Sequence, residues 1–229
     1  LSALAALLRP YDVLERAGTD GFAATNPASA TIHLDAVDDR LLAAIATRPN
    51  VAAVEARRVV SGRIKVAPAE WRALRVIVIP DFAAVRISKI VPQSGAWPPS
   101  PGEVLIERDA LGVARAGIGD EIVVRIGNGP DRTLRVAGTV MDVGQAQARM
   151  EQYVYAYATP ATLTHLGMAP HMDQLEIRVS GNSMDRAHIG QVAGELAAWL
   201  EEGGRAVTGI EVPAPGKHPH DELMRFFFF

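Results

Sequence analysis

The chain has 229 residues, of which 48% are hydrophobic and 21% charged, and its formal net charge is −3. This length allows one large domain or two small ones, and the composition is that of an ordinary globular protein. The slight acidity excludes a broad cationic surface for nucleic acid, so no nucleic-acid partner is predicted. The absence of cysteine excludes disulfides, thiol nucleophiles and thiolate zinc sites.

The first 27 residues carry apolar side chains at helical spacing. Pro10 interrupts the pattern and Asn26-Pro27 breaks it, which predicts a kinked or two-part helical segment over residues 1–27. The apolar stretch at its start is shorter than the ~20 residues that span a bilayer.

A strand, a helix and a second strand are predicted next. Residues 30–34 alternate as a strand, and Asp35 is expected to open a helix that Pro49-Asn50 terminates. The second strand is expected over residues 51–60. This unit forms the first part of a domain over residues 28–80.

The same order returns near the carboxyl end. Residues 175–179 predict a strand, Asn182-Ser183 is expected to cap a helix, and Gly203-Gly204 to end it. Residues 206–212 predict the closing strand. Two such units, each with a helix that needs a sheet beneath it, predict one split βαβ-type domain built from residues 28–80 plus 172–213.

The middle of the chain, residues 81–171, predicts a β-rich inserted subdomain. Its clearest feature is a hairpin, in which two strands flank a Gly/Asn/Pro/Asp loop. The predicted elements are strands at 76–79 and 85–91, a rigid proline-rich loop at 92–101, a strand at 103–106, a helical turn at 109–113, the hairpin at 121–126 and 133–140, a strand at 153–157 and a short helix at 160–166. The fold class is therefore α+β, with the split domain interrupted by this insert.

The carboxyl end, residues 214–229, finishes in Phe226 to Phe229, which would form a sticky apolar patch in water. The run predicts a linker into a membrane helix that is cut short, in a loop excised from between two membrane helices. A soluble chain with an arbitrary end and a disordered tail is the alternative.

Side chains that could carry chemistry do not form a recognisable site in the sequence. His218-Pro219-His220 beside Asp221 and Glu222 has metal-ligand types, but the proline holds the segment extended, which favours a solvated linker. No Gly-x-Ser-x-Gly elbow and no phosphate-binding loop is present. We therefore predict no catalytic, cofactor-binding or metal-binding residue, and no enzyme.

The remaining candidates have structural interpretations. His33 is expected to pair across strands, and two loop histidines to lie at the surface. Two adjacent carboxylate pairs are expected to be solvated. Three alternate tyrosines are expected to form a buried row against the hairpin. The loop histidines are His165 and His171. The carboxylate pairs are Glu107 with Asp109 and Glu201 with Glu202, and the tyrosines are Tyr153, Tyr155 and Tyr157.

Four segments of the insert follow one another in an order that is similar to a known family. They read PGEVLI at 101–106, LG at 111–112, GIGDEIVV at 117–124 and LRVAGTV at 134–140. The string resembles the periplasmic core domain of MacB/FtsX/LolC-like ABC transporter permeases. In that family a porter-like α+β subdomain is split by a β-rich insert between the first and second membrane helices.

The resemblance implies an extracytoplasmic domain of the bacterial inner membrane that transmits ATP-driven conformational change to a periplasmic partner or an exported cargo. It implies as partners the permease's own membrane helices, an ABC ATPase subunit, a periplasmic adaptor protein and a second permease chain in a homodimer or heterodimer. The alternative is an unrelated soluble module that binds a small ligand or a protein, with the insert as a β-barrel.

Overall fold

The computed structural model describes residues 21–217, and their fold is α+β: a mixed sheet with helices packed against it. The described strands are β1 Ala30–Val37, β2 Val51–Ala67, β3 Glu70–Val78, β4 Val91–Gly95, β5 Glu103–Glu107, β6 Glu121–Ile126, β7 Asp131–Met141, β8 Tyr153–Ala158, β9 Met172–Val179 and β10 Val207–Glu211. The helices are α1 Asp39–Ala46, α2 Leu111–Ala114, α3 Ala148–Glu151, α4 Pro160–His165 and α5 Arg186–Glu202, with a 3₁₀ turn at Arg108–Ala110.

One part of the sheet has the strand order β10-β1-β9-β2, and every neighbouring pair in it is antiparallel. It follows that β1 and β2 run parallel to each other with β9 between them, and that β9 and β10 do so with β1 between them. Helix α1 connects the first pair and α5 connects the second.

Both helices start later than the sequence suggested. Strand β1 continues to Val37, and α1 begins after Asp38, whose Oδ1 accepts a hydrogen bond from the Leu41 N–H at 2.8 Å. Helix α5 is capped by Asp185 rather than by Asn182-Ser183, because the Asp185 side chain accepts from the Ala187 N–H at 2.9 Å. In both cases an aspartate a few residues on supplies the side-chain cap.

The apolar faces of these helices are buried as the spacing predicted. Leu41 and Ile45 of α1 are buried, as are Ile189, Leu196 and Leu200 of α5. Burial of such side chains contributes roughly 1.5–3 kcal/mol each, so this packing fixes both helices on the sheet.

The other part of the sheet closes on itself. Its strands follow the order β2-β3-β8-β5-β7, and β6 pairs with both β7 and β2, which completes a ring. Strand β4 lies on the outside of β7 as an edge. The hairpin of β6 and β7 is confirmed, with Ile122 opposite Leu134 in antiparallel register. Closure leaves the ring strands without free edges apart from β4.

Strand β2 belongs to both parts. Its first residues pair with β9, and its later residues pair with β3 and β6. The prediction that this strand ends at Val60 was wrong, since it continues to Ala67. Gly62 allows β2 to pass from the first part of the sheet into the ring, because a Cβ at this position would lie 2.6 Å from the main-chain oxygen of Arg125.

Residues 85–91 were predicted as a strand, and this was wrong. Residues 85–90 form an irregular segment, and the strand β4 begins at Val91 and runs to Gly95, mostly inside the predicted rigid loop. Pro92 is compatible with β4 because an edge strand does not need every main-chain N–H for pairing. Residues 21–24 are helical, and the rest of the predicted amino-terminal helix lies outside the described residues.

Candidate functional site

A cavity of about 410 Å³ lies where the two parts of the sheet meet. Residues of β2, β3 and β9 line it, together with two segments from opposite ends of the described chain. These end segments comprise lining residues between 22 and 29 and residues 213–217. We call this space the junction cavity. Residues from both ends of the described chain therefore line the same space as Arg57 and Val59 of β2, the strand that the two parts share.

A buried ion pair lies beside this cavity. The Arg57 Nη2 atom donates to Glu55 Oε2 at 2.7 Å, and the two side chains are only 5% and 10% exposed. Arg57 also donates to the main-chain oxygen atoms of Ala56 at 2.9 Å and Ile87 at 3.3 Å. The positive charge is therefore both paired and hydrogen-bonded, as burial of a charge requires.

Glu176 of β9 is the second carboxylate near Arg57. Its Oε2 lies 4.0 Å from Arg57 Nε, and this oxygen accepts no hydrogen bond among the described residues. Burial raises the pKa of Glu176, and the nearby Arg57 opposes that rise only in part. The negative charge of Glu176 is therefore only partly balanced by the positive charge of Arg57.

The irregular segment 86–89 is held to this cluster from one side. Glu55 Oε1 accepts from the main-chain N–H groups of Arg86 at 2.6 Å and Ile87 at 3.2 Å. The pattern explains why the segment is not a strand, since its main-chain donors bond to a side chain of β2 instead of to a neighbouring strand.

The same segment is bonded to the amino-terminal end segment from the other side. The Ser88 N–H donates to the Asn26 main-chain oxygen at 3.0 Å, and the Lys89 N–H donates to that of Thr25 at 2.8 Å. Asn26 Nδ2 also donates to the Arg86 oxygen at 2.6 Å. Residues 25–26, segment 86–89 and the buried ion pair therefore form one bonded unit, which we call the junction clamp.

A second polar contact fixes the far wall of the cavity. The hydroxyl of Tyr157 on β8 donates to Asp142 Oδ2 at 2.6 Å, and Asp142 Oδ1 accepts from the Gly144 N–H at 2.8 Å. Burial raises the pKa of Tyr157 well above its ordinary value, so the hydroxyl stays protonated and keeps donating. This contact connects the turn after β7 to the ring.

The candidates from the sequence lie apart from one another. His33 Nε2 lies 3.1 Å from Glu211 Oε1 across β1 and β10, the cross-strand pair that was predicted. His165 Nε2 lies 2.9 Å from the Thr133 main-chain oxygen, and His171 is exposed beside Arg58. His218 and His220 lie outside the described residues.

The carboxylates and tyrosines have local partners. Glu107 is buried rather than solvated, its Oε2 accepts from the Asp109 N–H at 2.7 Å, and burial raises its pKa. Glu201 and Glu202 are exposed at the end of α5. Tyr155 and Tyr157 are buried on β8, which pairs with β3 and β5, and the Tyr155 hydroxyl donates to Glu151 Oε2 at 2.9 Å.

Groups of three or more His, Asp or Glu side chains that could hold a metal ion do not occur within residues 21–217. Nor does any helix in that range have the length and apolar character needed to cross a bilayer. Sequence reasoning missed the Glu55–Arg57 pair. The only signal was two opposite charges at i and i+2, which point to the same side of a strand.

No family model and no curated protein matches the sequence. Solved structures of similar fold include the extracellular domain of the ABC-type transporter YknZ from Gram-positive bacteria, with 12% identity and a TM-score of 0.49 over 78% of this chain and 100% of that one. The periplasmic region of MacB from Actinobacillus actinomycetemcomitans has 12% identity and a TM-score of 0.47, over 89% of this chain and 94% of that one.

Proposed function

We propose that this chain is the extracytoplasmic domain of a MacB/FtsX/LolC-like ABC transporter permease. In this role it transmits ATP-driven movement of the membrane helices to a periplasmic partner or an exported cargo. The observation that carries the proposal is the convergence of both end segments, 22–29 and 213–217, on the junction cavity beside β2. Movement of residues 25–26 would reach β2 through segment 86–89, whose main-chain N–H groups bond both to these residues and to Glu55 of β2.

The segments that carry the family resemblance occupy consecutive elements of the ring. PGEVLI precedes and forms β5, LG lies in α2, GIGDEIVV leads into β6, and LRVAGTV lies within β7. Within this framework residues 28–80 plus 172–213 form the split βαβ-type, porter-like subdomain, and residues 81–171 form the insert, whose strands close the ring together with β3 and the later part of β2. Residues 1–27 and 214–229 are then the juxtamembrane segment and the linker to a membrane helix.

The junction clamp offers a path for the transmission. Residues 25–26 are bonded to segment 86–89 by main-chain hydrogen bonds of 3.0 and 2.8 Å. That segment runs directly into β4, which pairs with β7 of the ring. Because closely packed elements shift as bodies rather than deform continuously, a displacement at residues 25–26 would move β4 and the ring with it.

A small-ligand barrel, the alternative function, would need space inside the ring. Ile64, Leu74, Val124 and Leu134 of four ring strands are at most 1% exposed. Side chains fill a ring of this size, as in other small barrels. The filled ring favours a mechanical role over a ligand-binding one.

Single cysteines test the proposal, since these 229 residues contain none and any cysteine elsewhere in the full-length permease is first replaced by serine. Ala28→Cys lies at the junction cavity and Asn128→Cys at the exposed hairpin tip. The full-length permease, with its ATPase, is expressed in cells and treated with a membrane-impermeant maleimide. We expect both variants to be labelled from outside, and only Ala28→Cys to change its labelling rate severalfold when ATP hydrolysis is blocked by vanadate.

Two results would count against the proposal. Labelling of Asn128→Cys only after the cells are permeabilised would contradict the extracytoplasmic location. Equal labelling of Ala28→Cys with and without vanadate would contradict the transmission of movement through the junction.

A further inference from the structure

The outer face of the ring carries a cluster of cations around one tryptophan. Trp71 lies on β3, and the charged groups of Arg125, Arg63 and Lys65 lie 4.8, 5.9 and 6.0 Å from its ring centroid. Asp131 completes the cluster through an ion pair of 2.7 Å with Arg125. We call these five residues the Trp71 patch. With three cations and one anion, it is markedly positive on a chain whose formal charge is −3.

The arrangement of the cations costs stability. Arg63 and Arg125 are directly opposite each other in the antiparallel pairing of β2 and β6. Like charges in that position repel. In the described part of the chain neither Arg63 nor Lys65 has an ion pair to offset the repulsion, although each lies against Trp71. The contacts with Trp71 and the Arg125–Asp131 ion pair offset part of this repulsion, but among residues 21–217 they leave Arg63 and Lys65 without an anionic partner within ion-pair distance.

The positive charges of the patch create an electrostatic field that favours the ionised form of a carboxyl group nearby. Arg125 lowers the pKa of Asp131 by hydrogen bond and by charge, and Lys65 and Arg63 lower it further by charge alone. The contributions of Lys65 and Arg63 act through charge alone, so they would also act on a second carboxylate at this face. Arg63 and Lys65 remain available to bind one, because Asp131 hydrogen-bonds only to Arg125 in this cluster.

The patch lies on the same face of β2 and β3 as the junction cavity, but far along the strands. Val59 and Ile77 line the cavity, whereas Arg63 and Trp71 lie four and six residues further toward the β2–β3 turn. At about 3.3 Å per residue, the separation is on the order of 13–20 Å. The patch thus lies away from the cavity that the two end segments line, toward the β2–β3 turn.

We propose that the Trp71 patch binds a carboxylate-rich surface of a protein partner. Tryptophan and arginine are the side chains most enriched among the dominant contacts of protein interfaces, and arginine binds carboxylates in a bidentate manner. The choice of a protein over an anionic membrane rests on the proposed function, which puts the end segments, and not this patch, next to the bilayer. Trp71 is also half-buried between its cations, so it offers no apolar wedge to lipid.

The test uses Trp71 as its own reporter. The chain has three tryptophans, so a Trp97→Phe/Trp199→Phe background leaves Trp71 as the only one. The purified 229-residue chain is titrated with a deca-glutamate peptide, with phosphatidylglycerol vesicles and with inorganic phosphate, at low salt. We expect the peptide to change the Trp71 fluorescence saturably, and the vesicles and phosphate to leave it unchanged.

Two double variants, each of which removes two positive charges, distinguish binding at the Trp71 patch from general electrostatic attraction to the chain. Arg63→Ser/Lys65→Ser should weaken peptide binding by about tenfold or more, equivalent to about 1.4 kcal/mol. Arg40→Ser/Arg186→Ser removes the same charge from exposed positions elsewhere and should leave the affinity nearly unchanged. Binding should also weaken steeply as salt is added, because exposed charges are screened.

A stability measurement distinguishes a binding role from a structural one. Arg63→Ser relieves the repulsion from Arg125, so the free energy of unfolding should stay the same or rise. A clear loss of stability would assign Arg63 to the fold and overturn the proposal. So would the absence of peptide binding, an equal loss in both double variants, or binding of vesicles in place of the peptide.

This experiment is independent of the permease assay. It needs neither a membrane nor ATP, so peptide binding can fail while the labelling result holds. The reverse outcome, peptide binding without extracytoplasmic labelling, would keep the carboxylate site and remove the reason for excluding a membrane.

Discussion

Replacement of Arg57 by methionine should be among the most damaging single changes in this chain. The substitution keeps the apolar length of the side chain but leaves Glu55 buried without its partner at 2.7 Å. It also removes the cation that partly offsets the burial of Glu176. Loss of one partner from a buried pair costs about 3–5 kcal/mol. For a domain of this size that corresponds to a fall in Tm of roughly 6–20 °C.

Urea denaturation followed by circular dichroism measures the effect as a change in the free energy of unfolding. Arg63→Met on the same strand is the matched control, and because Arg63 is exposed it should change stability by no more than about 0.5 kcal/mol. The double variant Glu55→Gln/Arg57→Met should recover more than half of the loss. Its amide oxygen can still accept from the Arg86 and Ile87 N–H groups, while the unpaired charge is gone.

Two outcomes would refute this reasoning. A cost below about 1 kcal/mol for Arg57→Met would mean that the carboxylates reach water or protonate without penalty. A double variant as unstable as the single one would mean that packing or hydrogen bonding of the guanidinium, and not charge pairing, is what matters.

Three further changes test other parts of the structure. Burial raises the pKa of Glu176, so its protonated form favours the fold below the unfolded-state pKa, and that contribution is lost as pH rises through the folded-state pKa. Glu176→Gln should therefore be more stable than the parent at pH 7 and show a weaker decline in stability as pH rises above the ordinary pKa of a glutamate, measured in urea melts. Gly138→Ala would place a Cβ 2.4 Å from the Ser94 main-chain oxygen, so β4 should detach from β7 and its amides exchange faster with deuterium. Asp185→Ala removes the cap of α5 and should cost about 0.5–2 kcal/mol, measured by thermal melting, whereas Asp185→Asn should cost much less.

The sequence predicts most of the elements because they follow simple local rules. The hairpin is evident from a turn-forming loop between two alternating strands, and α5 from apolar residues at helical spacing. The order of strands and helices at the two ends is visible for the same reason. Short-range patterns of this kind depend on which face of each element is buried, and not on its distant partners.

The sequence predictions are wrong where contacts between residues far apart in the chain decide the local structure. Residues 85–91 are apolar enough for a strand, but Glu55, some thirty positions earlier, takes up their main-chain donors. Strand β2 continues past Val60 because β6 pairs with it beyond that point. The buried Glu55–Arg57 pair has no distinct local signature, since opposite charges at i and i+2 also occur on exposed strand faces.

The sharing of β2 has a consequence for the order of events during synthesis on the ribosome. The strands that complete the ring, β2 to β8, are all made by residue 158, and two of the six ring pairings, β2–β3 and β6–β7, join strands that are consecutive in the chain. Strand β1 is made before any of them, yet its two partners, β9 and β10, are among the last elements to emerge. We therefore expect the ring to assemble first and to present the free half of β2 as a template. Strand β1, which is made first, then stays unpaired until β9 and β10 are made. This makes β1 the segment most in need of protection from aggregation.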